Sequence, residues 1–79
     1  MIIVTEEMCR LMRHALGVTD QPKPYRNRFA TYWGGAACDN WINLCRGGFA
    51  EHFDTTESGM MFFGVTLEGH ALLGVEPES

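Results

Sequence analysis

Between Gly47-Gly48 and Thr66 the chain carries two short apolar-rich runs, Phe49–Phe53 and Met60–Val65, on either side of Asp54-Thr55-Thr56-Glu57-Ser58-Gly59. Runs of this kind around a stretch of turn residues read as a β-hairpin. This feature constrains the fold most, because an isolated pair of strands is at best marginally stable in water. Its apolar face has to be covered, and the remaining residues must supply the cover. With 79 residues in all, there is material for one domain.

The cover reads as helical. Met8, Leu11, Met12, Ala15 and Leu16 recur at helical spacing and form one apolar stripe. Thr5 stands where an N-cap hydroxyl accepts a bond from a free N–H of the first turn, and Glu6 and Glu7 sit at the positive end of the helix dipole. Gly17 is placed as the stop, so the pattern predicts a helix over Glu6–Leu16. Val18 to Pro24 is a loop, with Asp20, Pro22 and Pro24 as turn chemistry. Tyr25 to Tyr32 is expected to form a short helix with Tyr25, Phe29 and Tyr32 inward. After Gly34-Gly35, Ala36 to Arg46 is expected to be a further helix. Ala37, Trp41, Leu44 and Cys45 form its buried side, and Asp39, Asn40, Asn43 and Arg46 lie outside. Thr66 caps a last helix, Leu67–Leu73, closed by Gly74, and a loose tail follows over Val75–Ser79.

Composition bounds the class. Hydrophobic residues make up 46% and charged residues 20%, which is a globular and not a disordered composition. Met1-Ile2-Ile3-Val4 is too short for a signal-peptide core and no run spans a bilayer, so a cytoplasmic location is expected, without a membrane. Cys9, Cys38 and Cys45 are odd in number and contain no CxxC, which fits reduced thiols in a cytosol. All six basic residues lie in residues 1–46 against four acids, a balance of +2. The remainder holds six acids and no Lys or Arg, a balance of −6, which together match the net charge of −4.

Trp41-x-x-Leu44-x-x-x-Gly48-Phe49, followed by Phe63-x-Val65-Thr66-x-Glu68-Gly69-x-x-Leu72-Leu73, resembles the MarR/PadR-type winged-helix pattern. In that pattern a recognition helix runs into a first strand, and a Val-Thr wing exit leads into a helix. The resemblance implies a small α+β, winged-helix-like domain over residues 1–79, with helices and a two-stranded β-hairpin. Arg13-His14-Ala15-Leu16-Gly17 and Tyr25-Arg26-Asn27, followed by the wing pattern, are similar to small phage and prophage proteins of uncharacterised function. That second resemblance implies a mobile-element origin and the cytoplasm of a host cell, and it brings no activity with it.

The candidate sites divide into two sets. Strand alternation puts Met60 and Phe62 outward if Phe63 and Val65 face the core, with Met61 inward and Ala50 and His52 beside the outward pair. Exposed aromatic and Met side chains are enriched where proteins meet. With the acids Asp54 and Glu57 at the hairpin tip, and with Trp33 beside Gly34-Gly35, Met60, Phe62 and His52 form the expected partner-binding set. The leading expectation is a non-enzymatic, phage-type accessory protein that binds a host protein, with nucleic-acid-binding proteins among the candidates. An inhibitor of host defence, as anti-CRISPR proteins are, is the concrete version. The alternative is a winged-helix DNA-binding regulator, with a homodimer possible, in which Arg10, Arg13, Lys23, Arg26, Arg28 and Arg46 meet phosphates. Against it, the helix that would read DNA offers one arginine beside Asp39, and the wing carries acids only.

Metal and catalytic chemistry find little support. Cys38, Cys45 and His52 are seven apart, with Cys9 or His70 to complete four ligands. The close ligand pairs of structural zinc sites are missing, so no metal and no other cofactor is expected. Cys38, at a helix start, is the one thiol placed for a lowered pKa, and nothing in the sequence pairs it with His14, His52 or His70. No catalytic residue is assigned.

Overall fold

A computed structural model describes residues 2–19 and 21–77; Asp20 of the expected turn and the last two residues of the expected tail lie outside the described residues. The elements run α1 (Glu6–Leu16), β1 (Phe29–Tyr32), α2 (Ala36–Arg46), β2 (Ala50–Thr55), β3 (Met60–Val65) and α3 (Leu67–Leu73). The protein is a small α+β domain. Its three strands form one antiparallel sheet in the order β1-β3-β2. The sheet has a third strand beyond the expected hairpin.

Local signals act as expected in α1. The Thr5 hydroxyl accepts from the Met8 N–H at 3.1 Å, and Gly17 leaves the helix at φ 76°. A Cβ at Gly17 would strike the Tyr25 ring as well as strain the backbone. Gly17→Ala is therefore expected to cost about 1 kcal/mol or more, read as a lower urea midpoint. Met8, Leu11, Met12, Ala15 and Leu16 all face inward. They meet Trp41 and Leu44 from α2, and Ala50, Phe63 and Val65 from the sheet. Trp41 lies between Phe29 and Phe63, with ring centroids at 5.4 and 5.6 Å.

The expected helix over Tyr25–Tyr32 does not form. Its second half is β1, paired with β3 in the register Phe29↔Phe63 to Tyr32↔Met60. Phe29 and Thr31 are half-buried while Ala30 and Tyr32 are exposed, a period of two instead of 3.6. The physical reason lies in α1, whose last four carbonyls have no partner within the helix. The Val18 N–H bonds to Arg13 O, Gly17 N–H to His14 O, Arg28 N–H to Ala15 O and Tyr25 N–H to Leu16 O. The Arg26 guanidinium donates to His14 O as well, from Nη2 at 2.7 Å and Nε at 3.2 Å. Amides that a second helix would have used for itself thus close the first one. The element directly before α2 is the strand β1, so no helix stands there as a helix-turn-helix partner.

Asn27 completes the strand. Its side-chain Nδ2 donates to Val65 O at 2.9 Å, and its Oδ1 accepts from Val65 N–H at 2.7 Å. One side-chain amide thereby continues the β1–β3 ladder below Phe29. β2 starts one residue after the expected Phe49 and runs on to Thr55; Phe49 itself is half-buried against the core. The pairing of β2 with β3 shifts between His52 and Asp54 at a β-bulge.

Thr66 caps α3, accepting from the Gly69 N–H at 3.2 Å and donating to Gly48 O at 2.6 Å. Gly69 is buried with the Phe49 carbonyl where a Cβ would go, so α3 can sit directly on the start of the hairpin. The expectation of a loose tail fails at Val75, which donates to His70 O at 3.0 Å and packs against the core. No helix among the described residues is long and apolar enough to cross a membrane.

Candidate functional site

The candidate site is the outer face of the sheet. In antiparallel pairs, directly opposite residues share a face. Phe29, Phe63, Val65 and Ala50 point to the side on which α1 and α2 pack. The other side carries Ala30 and Tyr32 from β1, Met60, Phe62 and Gly64 from β3, and Glu51 and Asp54 from β2. An open face of an antiparallel sheet is ordinarily polar, because it meets water. This one is aromatic at its centre.

Phe62 is half-buried, for an identifiable reason. The Arg28 guanidinium lies over its ring, 4.4 Å from the centroid. Phe53 joins the same face through the bulge. Its ring occupies the space above Gly64 that a side chain would fill, and the residue remains 52% exposed. Tyr32 is 58% exposed and pairs with Met60. Trp33 is more exposed still and donates its backbone N–H to Gly59 O at 3.2 Å, which places it at the hairpin turn with Glu57.

The expected partner-binding set is thus partly gathered and partly corrected. Met60, Phe62 and Asp54 share the outer face, and Glu57 and Trp33 border the turn. His52 does not share that face. It pairs with Phe63, their rings 5.4 Å apart, and its Nε2 lies 2.7 Å from the Thr55 hydroxyl. Ala50 likewise pairs with Val65 and is buried. The expectation that His52 and Ala50 flank Phe62 reversed the parity of β2. The register puts both on the inner side, and the bulge then turns Phe53 outward. Phe53, Tyr32 and Ala30 were missed. Alternation within Phe29-Ala30-Thr31-Tyr32 was the available signal for the last two, and nothing local marks the bulge.

The basic residues are dispersed in their engagements. Arg10 pairs with Glu7 on α1, its Nε donating at 3.0 Å, and this is the only salt bridge among the described residues. Glu7 holds the Arg10 guanidinium above its ordinary pKa. Arg10 and Arg13 line an open cleft of about 670 Å³ with Val4, Cys9 and Val18. Arg26 caps α1 and lies over Tyr25, 5.3 Å from its centroid. Arg28 belongs to the sheet face. Lys23 and Arg46 are exposed, in the loop and at the end of α2. The outer side of α2 presents Asp39 with Arg46 exposed and Asn40 and Asn43 half-buried.

The thiols and histidines do not converge. Cys38, expected at a helix start, is the third residue of α2 and is fully buried, its Sγ 3.6 Å from Met61 Sδ. Cys9 and Cys45 are half-buried. Burial, aided by the charge of Glu51, pushes the Cys45 thiol above its ordinary pKa. His70 is buried with Nδ1 2.9 Å from Thr66 O. No three His, Cys, Asp or Glu side chains among the described residues come together as metal ligands. In the native protein a small alkylating reagent is expected to label Cys9 first, Cys45 slowly at neutral pH, and Cys38 only on unfolding. Mass spectrometry of timed samples checks the order; early labelling of Cys38 contradicts its burial. No protein-family model, no curated protein and no solved structure matches the chain.

Proposed function

We propose that the protein is a non-enzymatic, phage-type accessory protein that works in the host cytoplasm by binding another protein through the outer face of its sheet. A host-defence protein with a nucleic-acid-binding surface is the partner class we favour, in the manner of anti-CRISPR inhibitors. The observation that carries this reading is Phe62. It sits at the centre of an uncovered face among Phe53, Tyr32 and Met60, with the carboxylates of Asp54 and Glu51 at one edge. Aromatic anchors supply desolvation energy at a contact, and rim charges steer the approach of a basic partner. A non-catalytic role is further supported by Cys38, whose thiol is enclosed by the core.

The second reading is a winged-helix DNA-binding regulator. It draws on the sheet order and on α2 standing directly before the β2–β3 hairpin, where a recognition helix stands before a wing. Its basic set is weakened by the engagement of Arg10 with Glu7 and of Arg26 with the end of α1. The wing equivalent bears Asp54 and Glu57 and no base.

Affinity capture from a host lysate with tagged protein tests the first reading. Phe62→Ala is expected to weaken capture by about 2 kcal/mol, roughly thirtyfold. Reversal of Asp54 and Glu57 is expected to slow association and flatten its salt dependence. Undiminished capture by Phe62→Ala contradicts the reading. Sub-micromolar, salt-sensitive DNA binding in a gel shift that Arg26→Glu plus Arg28→Glu removes favours the second.

A further inference from the structure

We propose that, in the absence of another partner, the outer sheet face binds the same face of a second copy of this chain, forming a weak two-fold dimer in which Arg28 of each copy meets Asp54 and Glu51 of the other. The proposal rests on reading that face as a contact surface, and it adds the occupant. The argument comes from where the charges stand. Arg28 lies on the β1 side, its guanidinium above Phe62. Asp54 pairs with Phe62 from the β2 side, and Glu51 pairs with Gly64 one step along. The face therefore has a cationic edge and an anionic edge, with Phe62 between them. None of the three charges is in a salt bridge among the described residues.

Symmetry turns this into self-complementarity. A two-fold interface brings one patch against itself. If the axis runs along the strands over β3, β1 of one copy faces β2 of the other at an unchanged level along the strand. Arg28 then faces the partner's carboxylates, and Phe62 faces Phe62. If the axis runs across the strands, β1 faces β1 and the opposite charges stay apart. Aligned face-to-face packing of sheets is one of the two common arrangements, so the favourable axis matches an ordinary sandwich. A strand of nucleic acid fits the face less well, because its phosphates would meet Asp54 and Glu51.

Size sets the strength. Three strands at about 4.8 Å and about five residues at about 3.4 Å give a face of roughly 14 by 17 Å. That is below a standard interface, so the dimer is expected to form only at high concentration. Another partner can then displace the copy.

Sedimentation of the full chain up to about 1 mM tests the proposal, with thermal melts to verify that each variant is folded. The wild type is expected to move from one chain towards two as concentration rises. Arg28→Glu alone and Asp54→Arg alone are each expected to weaken dimerisation at least tenfold, because each sets like charges against one another. An equimolar mixture of the two variants is expected to dimerise again, since Glu against Arg and Asp against Arg are restored at both contacts. A wild type that stays monomeric throughout, single variants that dimerise undiminished, or a mixture that stays monomeric overturns the proposal. Capture by Phe62→Ala judges the partner-binding reading separately, so the failure of one is distinct from the failure of the other.

Discussion

Phe63→Ala is expected to destabilise the protein by about 3–5 kcal/mol, whereas Phe62→Ala, one residue earlier, is expected to cost about 1 kcal/mol or less. Phe63 is fully buried, stacked on Trp41 with ring planes 13° apart and paired across the sheet with Phe29 and His52. Truncation removes apolar burial and leaves a cavity that α1, α2 and the sheet all border. Phe62 faces the other way and loses chiefly the Arg28 contact. A domain of this size has a total stability of roughly 4–12 kcal/mol, so the first change consumes much of it. Urea titrations of the two variants beside the wild type check the contrast. Equal losses would show that the outer face is part of the core.

Asn27→Ala is expected to cost about 3 kcal/mol, a large effect for an exposed residue. Its side chain serves both the N–H and the C=O of Val65, whose residue is 3% exposed, so truncation leaves two backbone groups without their partners. Such orphaned groups cost about 1–3 kcal/mol each. Loss should begin at one end of the sheet, where β1 detaches first. Hydrogen exchange reads this directly, through faster exchange at Val65 and at the β1 amides. Asn27→Asp is expected to recover the bond from Val65 N–H and not the one to Val65 O, giving an intermediate loss. An Asn27→Ala variant as stable as the wild type would show that β1 is held by Phe29 alone.

Elements with local signals were legible. α1, α2 and α3 lie where periodicity, Thr5, Thr66, Gly17 and Gly74 put them, because a cap acts within one helical turn. The hairpin was legible from two apolar runs around a turn. The outward direction of Met60 and Phe62 followed from Phe63 and Val65, since parity carries along an unbroken strand. Tyr25–Tyr32 was not legible. A four-residue edge strand is stabilised by its pairing with β3, about thirty residues away, and by an asparagine side chain. The parity of β2 failed for a related reason. One extra residue at the bulge changes which face Phe53 occupies, and no residue type there announces it.

The sequence by itself determined an α+β domain with α1, α2, α3 and a hairpin, two of the helices capped by Thr5 and Thr66, and it determined which of Phe62 and Phe63 turns away from the core. These properties arise from side-chain period and from hydrogen bonds between near neighbours, which a linear chain already specifies. Only the tertiary structure decided that residues 29–32 are a strand, that Cys38 is enclosed, and that Arg28, Phe62, Phe53 and Asp54 share one face. Each of these depends on what lies across the sheet or against the end of a helix. The carbonyls of α1 took the amides of 25 and 28, β3 took 29–32, and the face with its two charged edges exists only once those pairings are made.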